Sequence, residues 1–519
     1  MAADNKRGKN IVMPRQTITM AALLAALSVS AGAQAAAPPT VTINSGKLAG
    51  NEKDGMMSFL GIPYAAPPLG DLRWRAPQPV KAWQGTRRAT EFGPVCRQIA
   101  EWVKMPQSED CLTLNVWAPA RKAAKPYPVL VWIHGGALAN GHGSEWGPEG
   151  GKSVVQKGVI LVSMNYRLGV FGFFAHPELA AEASDHSSGN QGFRDQIAAL
   201  QWVKRNIAAF GGDPDRVTIA GESAGGSSVT ALTVSPLAKG LFQGAIAESG
   251  VFGPLPPKAI AEKLGTELGE ALKAPHLADL RKLRADDLLQ KGRPAPDLDG
   301  AVFTESPQQS FAAGHQNKVP ILLGWNADEG VDLAPAAFGA TITAASYESQ
   351  LAKIFGPQIP PVVLVQYPAK TDAQAVASAQ RLVSDMIGLQ HFGWATMQQK
   401  TNTQPVYLYF YVHTPAEPSA EQPCNYGCKA GHTAEIRFAY GHLWREARAW
   451  NQEDLALQDR MLGYWTNFAK TGSPNGQGLP EWPMFDGTPD KVQRLGSQAE
   501  IKERGMFLDF RPYLGMLPQ

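Results

Sequence analysis

Stretches of uninterrupted apolar residues alternate along the chain with stretches in which apolar residues recur every three or four positions. The runs at Tyr127–Ile133 and Val159–Asn165 lack the polar alternation of half-exposed strands, so they predict strands buried on both faces of a largely parallel sheet. Gln191–Ala209 has apolar residues spaced three or four apart and predicts an amphipathic helix. Strands that alternate with helices in this way predict an α/β fold with right-handed crossovers.

Further segments extend this pattern on both sides. Strands are predicted at Val41–Leu48, Met57–Ile62, Arg216–Ala220, Val319–Trp325 and Pro405–Tyr411, and helical stretches at Pro257–Gln290 and Leu455–Thr471. Residues of about 334–404 are predicted to form a helical, cap-like region. The expected fold is therefore a mostly parallel central sheet flanked by helices, with helical cap or lid insertions.

Length and composition change this picture mainly at the N-terminus. A chain of 519 residues with 44% hydrophobic and 18% charged residues is too long and too apolar for a disordered tail or a small disulfide scaffold. Residues 1–35 combine a basic stretch up to Arg15, an uncharged Ala- and Leu-rich segment at Thr17–Gly32, and the small-residue run Ala33-Gln34-Ala35. This order predicts a secretory signal peptide followed by one mature domain, 36–519, exported to the periplasm or secreted from a bacterial cell.

The predicted leader also accounts for the charge of the chain. The 16 residues of Thr17–Gly32 are short for a membrane span of ~20 residues, so no stable membrane anchor is expected. Residues 1–35 hold four basic residues and one acidic residue, and without them 48 basic and 46 acidic residues become 44 and 45, so that +2 becomes −1. A balance this close gives no electrostatic reason to expect nucleic acid or anionic lipid as a partner.

The four cysteines fall into two local pairs, Cys96 with Cys111 and Cys424 with Cys428. In an oxidising compartment each pair is expected to close a short loop as a disulfide. The alternative for the second pair is a metal site, because Cys424, Cys428 and His432 recur at every fourth residue. Proline and glycine within that segment disfavour the helix that would align them, and a structural zinc site needs a fourth ligand, so no metal is expected.

The segment around Ser223 carries the strongest chemical signal. It reads Gly221-Glu222-Ser223-Ala224-Gly225, a G-x-S-x-G motif between the predicted strand ending at Ala220 and a predicted helix at Gly226–Val234. A strand, a sharp turn and a helix in this order expose a serine on a strained backbone, as a nucleophile requires. The motif by itself is also compatible with an ordinary glycine-rich turn.

A second glycine-rich turn supplies what a serine nucleophile needs. His134-Gly135-Gly136-Ala137 follows the buried strand Tyr127–Ile133. Its backbone N–H groups at Gly135, Gly136 and Ala137, together with that of Ala224, are predicted to form an oxyanion hole. His134 is expected to shape this turn rather than to transfer protons.

Taken together these motifs resemble type-B carboxylesterases and cholinesterase-like lipases of the α/β-hydrolase fold, and among them bacterial para-nitrobenzyl esterases. The resemblance runs from about residue 40 to the C-terminus. Its matching segments are Gly61–Ala65, Leu72–Trp74, Glu109–Trp117, Asn165–Gly169, Phe210–Gly225 and Trp465–Ala469. It implies a carboxylic-ester hydrolase without cofactor or metal that forms an acyl-enzyme intermediate.

The resemblance also implies a catalytic triad. The family's acid is a Glu in an Asp-Glu-Gly context, here Glu329, and its base is the His of Gly431–Phe438, here His432. The order Ser223, Glu329, His432 is that of α/β-hydrolases. Asp328 remains an alternative acid, and His413 and His442 are the nearest competitors for the base. The resemblance further implies a supporting network of Glu222 and Ser249 behind the triad.

Departures from the family pattern concern the substrate. Cys96 and Cys111 enclose fourteen residues, a much shorter loop than in animal cholinesterases, and Trp102 within it does not align with their choline-binding Trp, which argues against choline esters. Arg194 stands where Leu is common, and a Cys424–Cys428 bridge would stiffen the loop that presents His432. The expected substrate is a small-molecule carboxylic ester, and the protein is expected to be a monomer or dimer.

Two other readings stay open. Some relatives of this family are non-catalytic adhesion proteins, so a recognition module is the alternative from another functional class. An amidase, carbamate hydrolase or transesterase using the same residues is the other, because a triad determines acyl transfer rather than the acyl or alcohol group.

Overall fold

A ten-stranded sheet forms the centre of the computed structural model, which describes residues 37–292, 295–415, 428–446 and 448–516. The strands of the described chain are β1 Thr40–Ile43, β2 Gly46–Ala49, β3 Asn51–Lys53, β4 Met56–Pro63, β5 Thr86–Arg88, β6 Val95–Cys96, β7 Gln107–Ser108, β8 Thr113–Pro119, β9 Tyr127–Ile133, β10 Ile160–Met164, β11 Gly212–Glu222, β12 Gly244–Glu248, β13 Ile321–Asn326, β14 Val406–Tyr411 and β15 Gln493–Leu495.

The large sheet has the order β15-β14-β13-β12-β11-β9-β10-β8-β4-β3. Neighbours from β15 to β10 are parallel, whereas β8 pairs antiparallel with β10 and with β4, and β4 pairs antiparallel with β3. The prediction of a mostly parallel sheet is therefore confirmed. Because β10 and β11 lie on opposite sides of β9, the order of the strands reverses there, and ligands of open α/β sheets bind outside the carboxyl ends at such a point.

The apolar runs are buried on both faces of this sheet. In β9, Val129, Val131 and Ile133 belong to one core cluster, whereas Leu130 and Trp132 belong to the cluster on the opposite face. Side chains alternate between the faces of a strand, so a strand with a core on both sides needs an unbroken apolar sequence.

Helices flank the sheet on both faces. Those of the described chain are α1 Lys152–Gln156, α2 Gly169–Phe173, α3 Pro177–Glu182, α4 Gln191–Asn206, α5 Ala224–Val234, α6 Lys258–Ala271, α7 Leu277–Leu280, α8 Ala285–Lys291, α9 Pro307–Ala313, α10 Glu329–Phe338, α11 Ala344–Phe355, α12 Pro361–Gln366, α13 Asp372–Thr401, α14 Ile436–Ala439, α15 Gln452–Thr471 and α16 Gln498–Arg504. Short 3-10 segments join several of them, including Ile207–Phe210 directly after α4.

Several predicted boundaries were wrong. Val41–Leu48 is not one strand but the antiparallel pair β1 and β2, because the chain turns at Asn44 and Ser45 and Ile43 then pairs with Gly46. The helical stretch Pro257–Gln290 is divided into α6, α7 and α8. The late helix begins at Gln452 instead of Leu455, since the side chain of Asn451 caps its first turn by accepting the Asp454 N–H at 2.9 Å.

The stretch 334–404 is helical for most of its length, in the end of α10 and in α11, α12 and α13. Its role as a cap stays a prediction, as does the signal peptide at 1–35, which lies outside the described residues. The described residues from Pro38 onward group as one compact unit. Within the described ranges, no helix combines the length and apolar character needed to cross a membrane.

Candidate active site

Ser223 stands at the turn between β11 and α5, at the carboxyl end of the sheet. Its backbone has φ 56° and ψ −125°, a strained conformation that a non-glycine residue rarely adopts. The Ser223 N–H donates to the Glu248 carbonyl oxygen at 2.8 Å, which fixes the turn to the neighbouring strand β12. Ser223 is only partly buried, whereas its neighbours Glu222 and Ala224 are buried.

The two glycines of the motif are required by close backbone packing. A Cβ on Gly221 would lie 2.6 Å from the Gly225 carbonyl, and a Cβ on Gly225 would overlap the carbonyl oxygen of Ile133 at the end of β9. The turn can therefore approach β9 only because both residues lack a side chain. This close approach brings Ser223 beside the turn that follows β9.

Gly135, Gly136 and Ala137 form that adjacent turn. A Cβ on Gly135 would lie 3.2 Å from the Ser223 Cβ, so the turn passes directly against the serine. Gly136 and Ala137 have φ values of 99° and 55°. In the described part of the chain, no acceptor takes up the backbone N–H of Gly135, Gly136 or Ala137. Successive free N–H groups on a left-handed turn are suited to binding an anionic oxygen.

His134 shapes this turn. Its Nδ1–H donates to the Gly135 carbonyl oxygen at 2.8 Å, and its ring stacks on Tyr166 with centroids 4.4 Å apart. Burial lowers the pKa of His134 to about 3, so the ring is neutral at physiological pH. A neutral imidazole with one nitrogen engaged by the turn fits the structural role predicted for this residue.

Glu329 and His432 are brought together although they are 103 residues apart. The His432 Nδ1–H donates to Glu329 Oε2 at 2.5 Å, and both side chains are fully buried. The other oxygen of Glu329 accepts the Ser249 hydroxyl at 2.5 Å and the Asn326 N–H at 2.9 Å. Three donors thus fix the Glu329 carboxylate, which stands in the first turn of α10, where the helix dipole favours negative charge.

The second nitrogen of His432 faces the residue that precedes Ser223. Its Nε2 lies 3.2 Å from Oε1 of Glu222, the residue that precedes Ser223. Burial would lower the pKa of His432, but the charges of Glu222 and Glu329 outweigh it and raise that pKa to about 10. Burial also raises the pKa of Glu222 well above its usual range. Glu222 and His432 are therefore a close pair of buried titratable groups beside Ser223.

The loop that carries His432 is held by the segment that carries Glu329. Asn326 Nδ2 donates to the Gly431 carbonyl oxygen at 2.8 Å, Asp328 accepts the Ala430 N–H at 3.1 Å, and Asp332 accepts the His432 N–H at 2.9 Å. Sequence reasoning missed Asn326 and Asp332. The spacing of Asp332 could have indicated its role. It follows Glu329 by three residues and so lies on the same face of α10.

Two further buried carboxyls lie close to the Glu329–His432 pair. Asn326 Nδ2 also donates to Glu435, and Glu248 accepts the Tyr440 hydroxyl at 2.5 Å. Burial raises the pKa of Glu435 to about 7 and that of Glu248 well above its usual range. These raised pKa values reduce the negative charge that would otherwise gather beside Glu329.

The competing residues are engaged elsewhere. Asp328 forms an ion pair with Arg504, and its Oδ2 faces the Ala430 backbone rather than the His432 ring. His413 lies between Asp454 and Glu500, with both ring nitrogens 2.7 Å from a carboxylate oxygen. His442 donates from Nε2 to the Gly150 carbonyl oxygen at 3.0 Å, and burial lowers its pKa to about 3.

The unusual Arg194 serves a local structural contact. It donates to the Asp185 carboxylate and the Ser187 hydroxyl, each at 2.6 Å. The disulfide between Cys96 and Cys111 is present, with Cα atoms 5.0 Å apart. Cys424 lies outside the described residues, so its bridge to Cys428 stays a prediction. Within the described ranges no group of three or more His, Cys, Asp and Glu side chains is arranged to hold a metal ion.

This geometry can be set beside known proteins. The family model described as "Carboxylesterase family" matches residues 37–510. This chain belongs to the carboxylesterase family. The match spans the sheet, both turns at Ser223 and Gly135–Ala137, and the Glu329–His432 pair, so the resemblance inferred from the motifs is confirmed over nearly the whole described chain.

Individual carboxylesterases support the same assignment. Fumonisin B1 esterase of Sphingopyxis macrogoltabida is 35% identical over 506 residues, covering 92% of this chain and 90% of the relative. Para-nitrobenzyl esterase of Bacillus subtilis (strain 168) is 34% identical over 487 residues, covering 89% and 96%. A solved PNB esterase structure aligns with a TM-score of 0.74 at 33% identity, covering 90% of this chain and 99% of that one. The chain is thus a carboxylic-ester hydrolase with the α/β-hydrolase fold.

Proposed function

We propose that this carboxylesterase is an exported serine hydrolase of small-molecule carboxylic esters, with Ser223 as nucleophile, His432 as base and Glu329 as acid. The observation that carries the proposal is the Nδ1–Oε2 hydrogen bond of 2.5 Å between His432 and Glu329. The other nitrogen of the imidazole, Nε2, lies 3.2 Å from Oε1 of Glu222, the residue that precedes Ser223 on its strained turn.

The reaction would proceed in two acyl transfers. Ser223 Oγ attacks the ester carbonyl carbon while His432 Nε2 takes the hydroxyl proton, and the carbonyl oxygen becomes an oxyanion. The N–H groups of Gly135, Gly136, Ala137 and Ala224 stabilise this charge. His432 then protonates the departing alcohol, and water attacks the acyl-enzyme by the same route. Glu329 orients the imidazole and stabilises its cation, while Ser249 holds the second oxygen of Glu329.

A panel of p-nitrophenyl esters, varied in acyl length, tests the assignment when run on wild type and Ser223→Ala. The variant should lose three or more orders of magnitude in kcat, roughly the loss seen on removing a triad nucleophile. Covalent organophosphates should inactivate the wild type and leave one adduct on Ser223 by mass spectrometry. Near-full hydrolysis by Ser223→Ala would refute the mechanism.

The proposed substrate class is supported by relatives whose names refer to fumonisin B1 and para-nitrobenzyl esters. Parallel assays of matched anilides and carbamates would reveal amide or carbamate activity, because the same triad serves those acyl groups.

Export is supported by the order of charges and apolar residues in 1–35 and by the Cys96–Cys111 disulfide, which persists in oxidising compartments. Cell fractionation and N-terminal sequencing of the protein expressed with its own leader provide the test. The mature chain should begin near Ala36 and be recovered from the periplasm or the medium. A cytoplasmic protein that keeps residues 1–35 would contradict export.

A further inference from the structure

The turn at Gly135–Ala137 is held at its far end by a residue from a distant part of the chain. Gly141 closes this turn, and a Cβ at its position would lie 2.5 Å from His134 Nδ1 and 2.6 Å from the Gly135 carbonyl oxygen. Its backbone, with φ 100°, is therefore packed directly against the start of the turn. A contact that holds Gly141 in place therefore also holds the backbone of Gly135, and with it the direction of the N–H groups of the turn.

Gln98 makes that contact with both ends of its side-chain amide. Its Oε1 accepts the Gly141 N–H at 2.8 Å, and its Nε2 donates to the Gly141 carbonyl oxygen at 2.9 Å. The second Nε2 proton goes to the Cys96 carbonyl oxygen at 3.0 Å. The amide is buried and these three hydrogen bonds use both of its donors, an arrangement that no other side chain of this length reproduces.

The segment that bears Gln98 is itself fixed. Gln98 lies in the loop closed by the Cys96–Cys111 disulfide, and its backbone N–H donates to the Gln107 side chain at 3.0 Å. The short strands β6 and β7 pair within the same loop. The disulfide and the strand pair thus hold this loop in place. Gln98 is the residue through which the loop hydrogen-bonds to Gly141 of the neighbouring turn.

We propose that Gln98 is a positioning residue for the oxyanion hole, holding the Gly135–Ala137 turn through Gly141. The inference rests on the proposed function, because it assigns catalytic work to that turn. The Gln98 amide is expected to matter more for the transition state than for ester binding, since N–H groups that miss the developing oxyanion lose their stabilising effect only when the charge forms.

The test compares Gln98→Glu and Gln98→Met with wild type. Glu keeps the length of the side chain and an acceptor oxygen but loses both N–H donors. Met keeps a similar volume but has neither the amide acceptor nor the amide donors. Both should lower kcat by about 10- to 100-fold, the range expected when catalytic groups are displaced by about 1 Å, with KM within about threefold. Gln78→Glu is the matched control, because Gln78 is exposed and its side chain donates to the carbonyl oxygen of Ala76, two residues away.

A trifluoromethyl ketone gives a second readout. Ser223 Oγ would add to its carbonyl carbon, the hydroxyl proton passing to His432 and the carbonyl electron pair to oxygen, so that the adduct carries an oxyanion. Its Ki should rise in the variants by the same factor by which kcat/KM falls. The matching methyl ketone, which scarcely forms this adduct, should keep its Ki. Thermal unfolding of each variant checks that the protein compared is folded.

The outcomes separate the two proposals. If Ser223→Ala abolishes hydrolysis but both Gln98 variants retain kcat and the trifluoromethyl ketone Ki within twofold, the positioning role is overturned and the proposed function stands. Equal weakening of both ketones would also overturn it, because it would indicate general distortion of the site. If Ser223→Ala remains active, the proposed function itself fails.

Discussion

Ser223 and His432 reach the same edge of the sheet by different physical means. Ser223 is the single residue between β11 and α5, and its sharp turn is possible because Gly221 and Gly225 let backbones pack against each other. His432 comes from a loop that follows β14 at a distance, and side chains of the segment Asn326–Asp332 hold it. Close packing therefore determines the position of Ser223, in what we call the nucleophile half of the proposed site. Hydrogen bonds determine the position of His432, in what we call the base half.

The difference implies unequal tolerance to change. A steric requirement fails with a single added methyl group, because the carbonyl it meets belongs to the sheet and cannot move away. A set of hydrogen bonds loses one member at a time, and each loss costs about 1 kcal/mol when the remaining bonds keep the geometry. Substitutions in the nucleophile half should thus have larger effects than those in the base half.

Among substitutions of the residues that support Ser223 and His432, the largest effect is expected for Gly225→Ala. The new Cβ would overlap the Ile133 carbonyl oxygen and push the nucleophile turn away from β9. We expect kcat/KM to fall by at least about 100-fold and the melting temperature to fall as well. Gly253→Ala is the control, since a Cβ there has open space around it. Retention of activity within tenfold by the folded Gly225→Ala protein would show that the turn is not sterically determined.

This contrast also explains what could be predicted from the sequence. A sterically determined turn leaves a local signature, so Gly221, Ser223 and Gly225 and the strand and helix around them could be read from adjacent residues. The unbroken apolar run of β9 predicted a doubly buried strand for the same reason. The Glu329–His432 pair joins residues 103 positions apart, and only the family resemblance pointed to it.

The supports of the base loop could not be predicted in this way. Asn326 and Asp332 bond to the backbone of Gly431 and His432. Nearly every residue type carries the same backbone groups, so such a bond leaves no mark on the sequence of the loop. The split of Pro257–Gln290 into three helices was missed because apolar spacing persists across the breaks. Periodicity reports which face is buried, whereas the ends of short helices depend on tertiary contacts.

The next effect in size is expected for Asp332→Ala. It removes the acceptor of the His432 N–H, so the base loop loses a support close to the imidazole. We expect kcat to fall about tenfold. KM should stay within about twofold, because Asp332 supports His432 and is not expected to touch the substrate. Asp332→Asn keeps an oxygen acceptor and should restore most of the rate. Equal loss in both variants would indicate that the charge of Asp332, rather than its hydrogen bond, matters.

Glu222→Gln is expected to have a pH-dependent effect. The Glu222 charge helps to raise the pKa of His432, and His432 must be neutral to accept the Ser223 proton. Without that charge the pKa of His432 falls, so the acid limb of the kcat/KM profile should move to lower pH by about one pH unit. Activity then rises relative to wild type on the acid side and changes little on the alkaline side. A limb that stays in place or moves to higher pH would contradict this coupling.

Arg504→Gln should have the smallest effect on the base half. Arg504 pairs with Asp328, which in turn accepts the Ala430 N–H two residues before His432. The ion pair is partly exposed, at 27% and 22% of the two side chains, so its loss should cost under about 1 kcal/mol of stability and less than about threefold in kcat. The wild type should approach the variant at 1 M salt, where screening weakens the same pair. A tenfold loss in kcat would mean that the Arg504–Asp328 pair affects His432 as strongly as the contacts next to it. The expectation that contacts matter less with distance from His432 would then be wrong.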